Sequence, residues 1–192
     1  MKILIKLFLY SSILGIIGCN AENISTAPIK NVTTSSTPNK VLFVCGGNTG
    51  RSPMAEYLAN DYFHFKEGGY IADSRGANVD PKEVLPESNA VLVMKQLHID
   101  IQKHRARAVT RNDIESSKLV LTMTQSHKQK LLQMTSDAKN IYLLSECATG
   151  KLIDVDDAYG QDIEFYEKTR DMIASYIKII QGNGMLCQQK SQ

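Results

Sequence analysis

The sequence predicts an α/β fold, a three-layer sandwich in which a four-stranded parallel sheet carries helices on both faces. Short apolar runs rich in β-branched and aromatic residues recur along the chain, as strands buried on both faces do. Helical patterns alternate with them, which argues for parallel pairing through helical crossovers. The first run also ends in a glycine-rich turn that opens straight into a helix, the strand–loop–helix order of Rossmann-like sheets.

In chain order, Lys40 to Cys45 is the first strand. A helix opens at Ser52, with Pro53 suited to its first turn and Ala55, Leu58, Ala59 and Tyr62 on one face. Tyr70 to Ser74 is the second strand. Glu83 to His98 carries helical spacing with Pro86 early in it, and Thr110 to Glu115 is a short helix or turn. Lys118 to Thr124 is the third strand, followed by a helix capped by Ser126 and running to about Met134. Asn140 to Leu144 is the fourth strand. Ile163 to Ile180 is the last helix, its stripe formed by Ile163, Tyr166, Met172, Ile173, Tyr176, Ile179 and Ile180.

The 192 residues leave room for one ordinary core. An apolar fraction of 43% and a charged fraction of 22% are those of a globular domain and exclude a fibre or a largely disordered chain. The beginning differs. Lys2 and Lys6 flank the start of an apolar run, Leu7 to Ile17, which is too short for a comfortable span and reads as a secretory signal over 1–18. Ile16-Ile17-Gly18-Cys19 resembles a bacterial lipobox. That resemblance implies cleavage before Cys19, lipidation of its sulfur, and a membrane-anchored, extracytoplasmic protein. The alternative is an unused N-terminal extension ahead of a cytoplasmic domain. Residues 19–39 read as a flexible Ser/Thr/Pro/Asn-rich tether, 40–181 as the domain, and 182–192 as a loose tail.

Loss of Lys2 and Lys6 would bring the net charge of +2 to about zero, which gives no support for nucleic-acid binding. The basic run Lys103 to Arg107 reads as a partly solvated segment that could help attract an anion. The cysteines Cys19, Cys45, Cys147 and Cys187 show no zinc spacing and no CxxC. With Cys19 lipidated an odd number remains, so at least one thiol is expected free.

Cys45 is the thiol whose neighbours give it a purpose. Five residues separate it from Arg51, and three of them, Gly46, Gly47 and Gly50, let the backbone curl so that successive N–H groups face an anion. Arg51 can close such a bowl with a bidentate fork. A cysteine inside that field, at the positive end of a helix, is poised as a thiolate for in-line attack on phosphorus.

Val41-Leu-Phe-Val-Cys45-Gly-Gly-Asn-Thr-Gly-Arg-Ser-Pro-Met-Ala-Glu56 resembles the signature of the low-molecular-weight protein-tyrosine phosphatase family, which includes bacterial protein-arginine phosphatases. The likeness continues through Ser74-Arg-Gly76, His104-Arg-Ala-Arg107, Leu119 to Lys128, Asp154 to Gly160 and Ile163 to Arg170. It implies that Cys45 is the nucleophile and Arg51 the phosphate clamp. Ser52 would donate to the thiolate, and Asn48 would hold the loop, braced by Ser74 and His104. Asp157 would be the general acid and then the base, with Tyr159 walling the cleft. Chemistry alone leaves Asp154, Asp156 and Asp157 equivalent; the family motif selects Asp157, with Asp156 the fallback. His127 reads as helping to cap or solvate its helix.

Three departures stand out. Gly50 occupies the place where the family often has a second, protective cysteine. Ala158 stands where proline usually follows the general acid, and Arg75 where alanine is common. The resemblance implies a phosphatase acting on phosphotyrosine in proteins or on small aryl phosphates, through a phosphocysteine intermediate and with no metal or organic cofactor. Thr49 and the single aromatic near Asp157 look more like the arginine-directed group, so protein-arginine phosphatase activity is the alternative. A non-catalytic phosphate- or phosphoprotein-binding lipoprotein is a further one. A thioredoxin-coupled arsenate reductase would need two more closely spaced cysteines. A monomeric domain is expected.

Overall fold

The computed structural model describes residues 38–137 and 139–187. The leader over 1–18, Cys19, the tether as far as residue 37, and residues 188–192 lie outside them.

Four strands form one parallel sheet in the order β2-β1-β3-β4. They are β1 (Asn39–Cys45), β2 (Tyr70–Gly76), β3 (Leu119–Thr122) and β4 (Ile141–Leu143). Among the described residues six α-helices connect or flank them: α1 (Arg51–Tyr57), α2 (Ser88–Lys95), α3 (Arg111–Glu115), α4 (Gln125–Leu132), α5 (Leu144–Thr149) and α6 (Ile163–Gly182). A π turn over Leu58–Tyr62 and a 3-10 turn over Phe65–Gly68 complete the crossover from α1 to β2.

The alternation of β1 divides the core between the two faces of the sheet. Val41, Phe43 and Cys45 point into a cluster with Met54 of α1, Leu58 of the turn after it, Val93 of α2, Leu144 of α5, and Ile173 and Ile177 of α6. Leu42 and Val44 point the other way, onto Ile114 of α3 and Leu131 of α4. All the side chains from Val41 to Cys45 are buried, so β1 is the central beam of the domain. Its C-terminal end, where a parallel sheet presents ligands, carries Cys45.

Several boundaries differ from the sequence expectation. The helix expected from Glu83 begins only at Ser88, because Pro86 and the extended Glu87 (φ −60°, ψ 138°) hold the preceding segment out of helix. Thr124, not Ser126, caps α4, its hydroxyl accepting the His127 N–H at 3.3 Å. The six-residue helix α5 was not foreseen; its first residue reads as the end of a strand by composition.

The chain beyond α6 does not run free at once. Cys187 forms a disulfide with the buried Cys147 of α5, a link across 40 residues, so the tail expected to be loose from 182 is pinned as far as 187. Cys45 is the free cysteine of the described residues.

Candidate active site

The loop between β1 and α1 is fixed from three directions. Ala77 donates its N–H to the Cys45 carbonyl at 2.8 Å and Asn78 to the Gly46 carbonyl at 2.9 Å, stitching the loop to the end of β2. That stitching requires Gly76: a Cβ there would stand 2.7 Å from the Gly46 carbonyl oxygen and 2.5 Å from Val79. Asn48 holds a left-handed conformation, φ 61°, which few residues other than glycine and asparagine tolerate.

The fully buried side chain of Asn48 compensates for that strain. Its amide donates to Ser52 Oγ at 3.0 Å and to Ser74 Oγ at 2.9 Å, and its Oδ1 accepts the Arg107 N–H at 2.9 Å. Each serine has one hydrogen left to give. Ser74 gives its own to Glu56 Oε2 at 2.5 Å, and Ser52 Oγ lies 3.0 Å from Cys45 Sγ. The Arg75 carbonyl, 3.3 Å from Ser52 Oγ, is a second acceptor for that hydrogen, so Ser52 can donate to the carbonyl while the thiol is protonated and to the sulfur once it is a thiolate. The Asn48 N–H also donates to Cys45 Sγ at 3.3 Å. His104, expected as a brace, is buried with Nε2 3.0 Å from the Asn48 carbonyl.

Glu56 was quoted within the signature but given no role. It sits 3.8 Å from His104 Nδ1. Burial pushes its carboxyl up to about 7, against the Ser74 hydrogen bond, and burial pulls the His104 imidazole down. With the imidazole neutral, the contact is polar rather than an ion pair. An acidic residue on the run of α1 that is otherwise buried was the available signal.

Arg51 reaches over the loop with its side chain only 7% exposed. It donates to the Val155 carbonyl at 3.0 Å and to Asp157 Oδ2 at 2.6 Å. Asp157 itself is 61% exposed and stands at the mouth. Val155 is anchored through its N–H to the Met123 carbonyl, and Ala158 is buried, so this acidic loop is held on both sides of Asp157 despite lacking proline. Asp154 turns away and accepts the Gln125 N–H at 2.8 Å. The resulting cavity, about 220 Å³, is lined by Cys45, Gly47, Thr49, Gly50, Arg51, Asp157 and Tyr159 together with Glu83 and Glu87. The two glutamates were not foreseen.

Arg75 does not line this cavity. It runs along the sheet to Asp73 at 2.6 Å and Asp113 at 3.1 Å. Cys147 is tied to Cys187 and is not available to a thiol relay beside Cys45. Among the described residues no group of three or more His, Cys, Asp or Glu side chains is placed to hold a metal ion.

His127 is not a solvated capping residue. It is buried under the loop, its Nε2 3.5 Å from where a Cβ of Gly46 would stand, and its Nδ1 finds no partner among the described residues. Burial, helped by Arg51 and opposed by Asp157 and Asp154, lowers its imidazole to about 4. A base held neutral in this way contributes stability that is complete above its unfolded value of 6.5 and is lost as pH falls toward 4. Glu56 works in the opposite sense, stabilising the fold below 4.5 and losing that contribution as pH rises toward 7. His127→Gln should therefore remove about 2 kcal/mol of acid sensitivity relative to wild type between pH 6.5 and 4. Parallel urea melts across that range check this; identical pH slopes in the two proteins contradict it.

The family model for low molecular weight phosphotyrosine protein phosphatase matches residues 40–182. A protein-arginine-phosphatase of Bacillus subtilis is 35% identical over 147 residues, covering 72% of this chain and 91% of that protein. The low molecular weight protein-tyrosine-phosphatase PtpB of Staphylococcus haemolyticus is 34% identical over 145 residues, covering 75% and 99%. The crystal structure of a low molecular weight protein tyrosine phosphatase from T. tengcongensis superposes with a TM-score of 0.71 at 36% identity, covering 76% of this chain and 99% of that one.

Proposed function

Because the chain belongs to the low molecular weight phosphotyrosine protein phosphatase family, we propose that it hydrolyses phosphotyrosine in proteins by the two-step route its loop is built for. The phosphoryl oxygens enter the ring of N–H groups from Gly46 to Arg51, and the guanidinium exchanges its Asp157 contact for the phosphate. Cys45 Sγ attacks phosphorus in line as the bond to the leaving oxygen breaks, while Asp157 gives that oxygen a proton. In the second step Asp157 takes a proton from water, the water oxygen bonds phosphorus, and the sulfur leaves as a thiolate that accepts the Ser52 hydroxyl. The observation that carries the reading is the buried contact of Cys45 Sγ with Ser52 Oγ, held by Asn48, beside an arginine and an acid at the mouth of one cavity.

Phosphoarginine is a second reading, favoured by Thr49 in the cavity wall and by Glu83 and Glu87 beside it, which suit a cationic leaving group better than a phenol. Steady-state hydrolysis of matched phosphotyrosine and phosphoarginine peptides under reducing conditions, with Cys45→Ala as control, separates the two. Absence of Cys45-dependent turnover on both peptides refutes the hydrolase reading and leaves a phosphate-binding protein.

The protein is further proposed to act outside the cytoplasm on a lipid anchor at Cys19. Support comes from the signal and lipobox pattern and from the Cys147–Cys187 disulfide, since such bonds persist in oxidising compartments. A lipid mass on Cys19, lost when signal processing is blocked by globomycin, is the expected result; an unmodified full-length Met1 chain would count against it.

A further inference from the structure

We infer that Glu87 is a positioning residue that sets the hydrogen-bond polarity of Thr49, and that through it the cavity favours substrates carrying an N–H beside the phosphoryl group. The inference rests on the phosphatase reading of the site and, within it, ranks the second substrate, phosphoarginine, above phosphotyrosine.

Glu87 precedes α2 and is tied to the loop twice. Its N–H donates to the Thr49 carbonyl at 3.0 Å, and its Oε1 accepts the Thr49 hydroxyl at 2.6 Å. A third tie comes from α6, where the Tyr166 hydroxyl donates to Oε2. Burial, followed by Glu87 itself, holds the Tyr166 phenol protonated far above the usual tyrosine range, so that hydroxyl remains a donor. The carboxylate is thus fixed between two donors and cannot swing away without breaking both.

This arrangement decides what Thr49 can offer. A threonine hydroxyl has one hydrogen and two lone pairs. With its hydrogen committed to a carboxylate at 2.6 Å, Thr49 Oγ1 presents only lone pairs to the cavity it lines with Cys45 and Arg51. A phosphorylated guanidinium carries N–H groups next to phosphorus and can satisfy those lone pairs. The ester oxygen of an aryl phosphate is an acceptor and cannot, and a polar atom left facing an apolar ring is unfavourable. The charge of Glu87 acts in the same sense, since it stands at the wall on which a guanidinium would lie.

Gly50 has its explanation in the same contact. A Cβ at that position would fall 2.8 and 2.9 Å from the two Glu87 oxygens, so the carboxylate takes the space that a cysteine side chain would need. A side chain at position 50 and the carboxylate in its present place exclude one another.

The test compares kcat/KM for matched phosphoarginine and phosphotyrosine peptides in wild type, Thr49→Val, Glu87→Met, which removes the acceptor altogether, and the double variant. The ratio of phosphoarginine to phosphotyrosine should fall about tenfold in each single variant, the effect of one hydrogen bond. The double variant should fall no further, because both changes remove the same interaction. A merely structural Glu87 would slow both substrates alike and leave the ratio unmoved, which overturns the inference, as do multiplying losses in the double variant. Thermal melts check that Glu87→Met folds; if it does not, Glu87→Asp, which withdraws the carboxylate from Thr49, is read in the same way. Calorimetric binding of free phosphoarginine and free phosphotyrosine to Cys45→Ala protein, with and without Glu87→Met, needs no turnover. A Glu87-dependent preference there, with no hydrolysis by wild type, removes the hydrolase reading but upholds this one; no preference overturns this one.

Discussion

Asp157→Asn should lower kcat on phosphopeptides by about 10²–10⁴-fold while leaving KM within a few-fold. An amide cannot protonate the departing oxygen, yet it fills the same space at the cavity mouth. The fall in kcat/KM, which reports the first step alone, should be much smaller with para-nitrophenyl phosphate, whose leaving group departs without a proton, whereas kcat falls with both because the second step needs Asp157 as base. That contrast matters because the variant also breaks the 2.6 Å contact with Arg51. A change in arginine placement would harm kcat/KM on both substrates equally; loss of acid catalysis harms it only on the one with the poorer leaving group. Asp156→Asn, by the same measurement, should retain most activity, and comparable losses in the two variants would show that the wrong carboxylate has been assigned.

Arg51→Lys should be as damaging although the charge is kept. Arg51 has its side chain almost wholly covered, and its fork already divides between the Val155 carbonyl and Asp157. A guanidinium can keep the carbonyl with one nitrogen and clamp equatorial phosphoryl oxygens with the others; an ammonium is a single point that cannot hold both. Removing one preorganised donor to a developing charge costs about 10²–10³-fold in rate. The loss should appear in kcat and in kcat/KM together on every substrate, including para-nitrophenyl phosphate, which separates this variant from Asp157→Asn. Retention of more than a tenth of wild-type kcat would mean that the backbone N–H ring alone stabilises the transition state.

What could be read from the sequence follows the range of the interactions concerned. The strand β1, the loop and the start of α1 are contiguous, and their residue types answer local demands: apolar for a beam buried on both faces, glycine for a curled backbone, proline in a first turn. Ser74, His104 and Asp157 lie far from the loop in sequence, and the resemblance to a family, not any pattern of spacing, named them. Glu87 and Tyr166 escaped both routes. Glu87 was taken into a helix that in fact starts one residue later, and Tyr166 was one apolar position in a stripe. Their partnership exists only because α2 and α6 pack beside the loop. His127 was misplaced for a similar reason: a residue in the first turn of a helix was read by its helix, whereas the neighbouring loop at Gly46 helps to bury it. The Cys147–Cys187 pairing needed the fold that brings the end of α6 back to α5.

The central claim is that phosphate leaves the substrate on the sulfur of Cys45. The most direct test is rapid quench of the enzyme during turnover of para-nitrophenyl phosphate, followed by mass spectrometry of the peptide carrying Cys45. A transient gain of one phosphoryl group on Cys45, larger in amount in a variant whose second step is slowed, such as Ser52→Ala, is the expected result. Steady turnover with no phosphorylated Cys45 in either protein, or undiminished turnover by Cys45→Ala, would contradict the account.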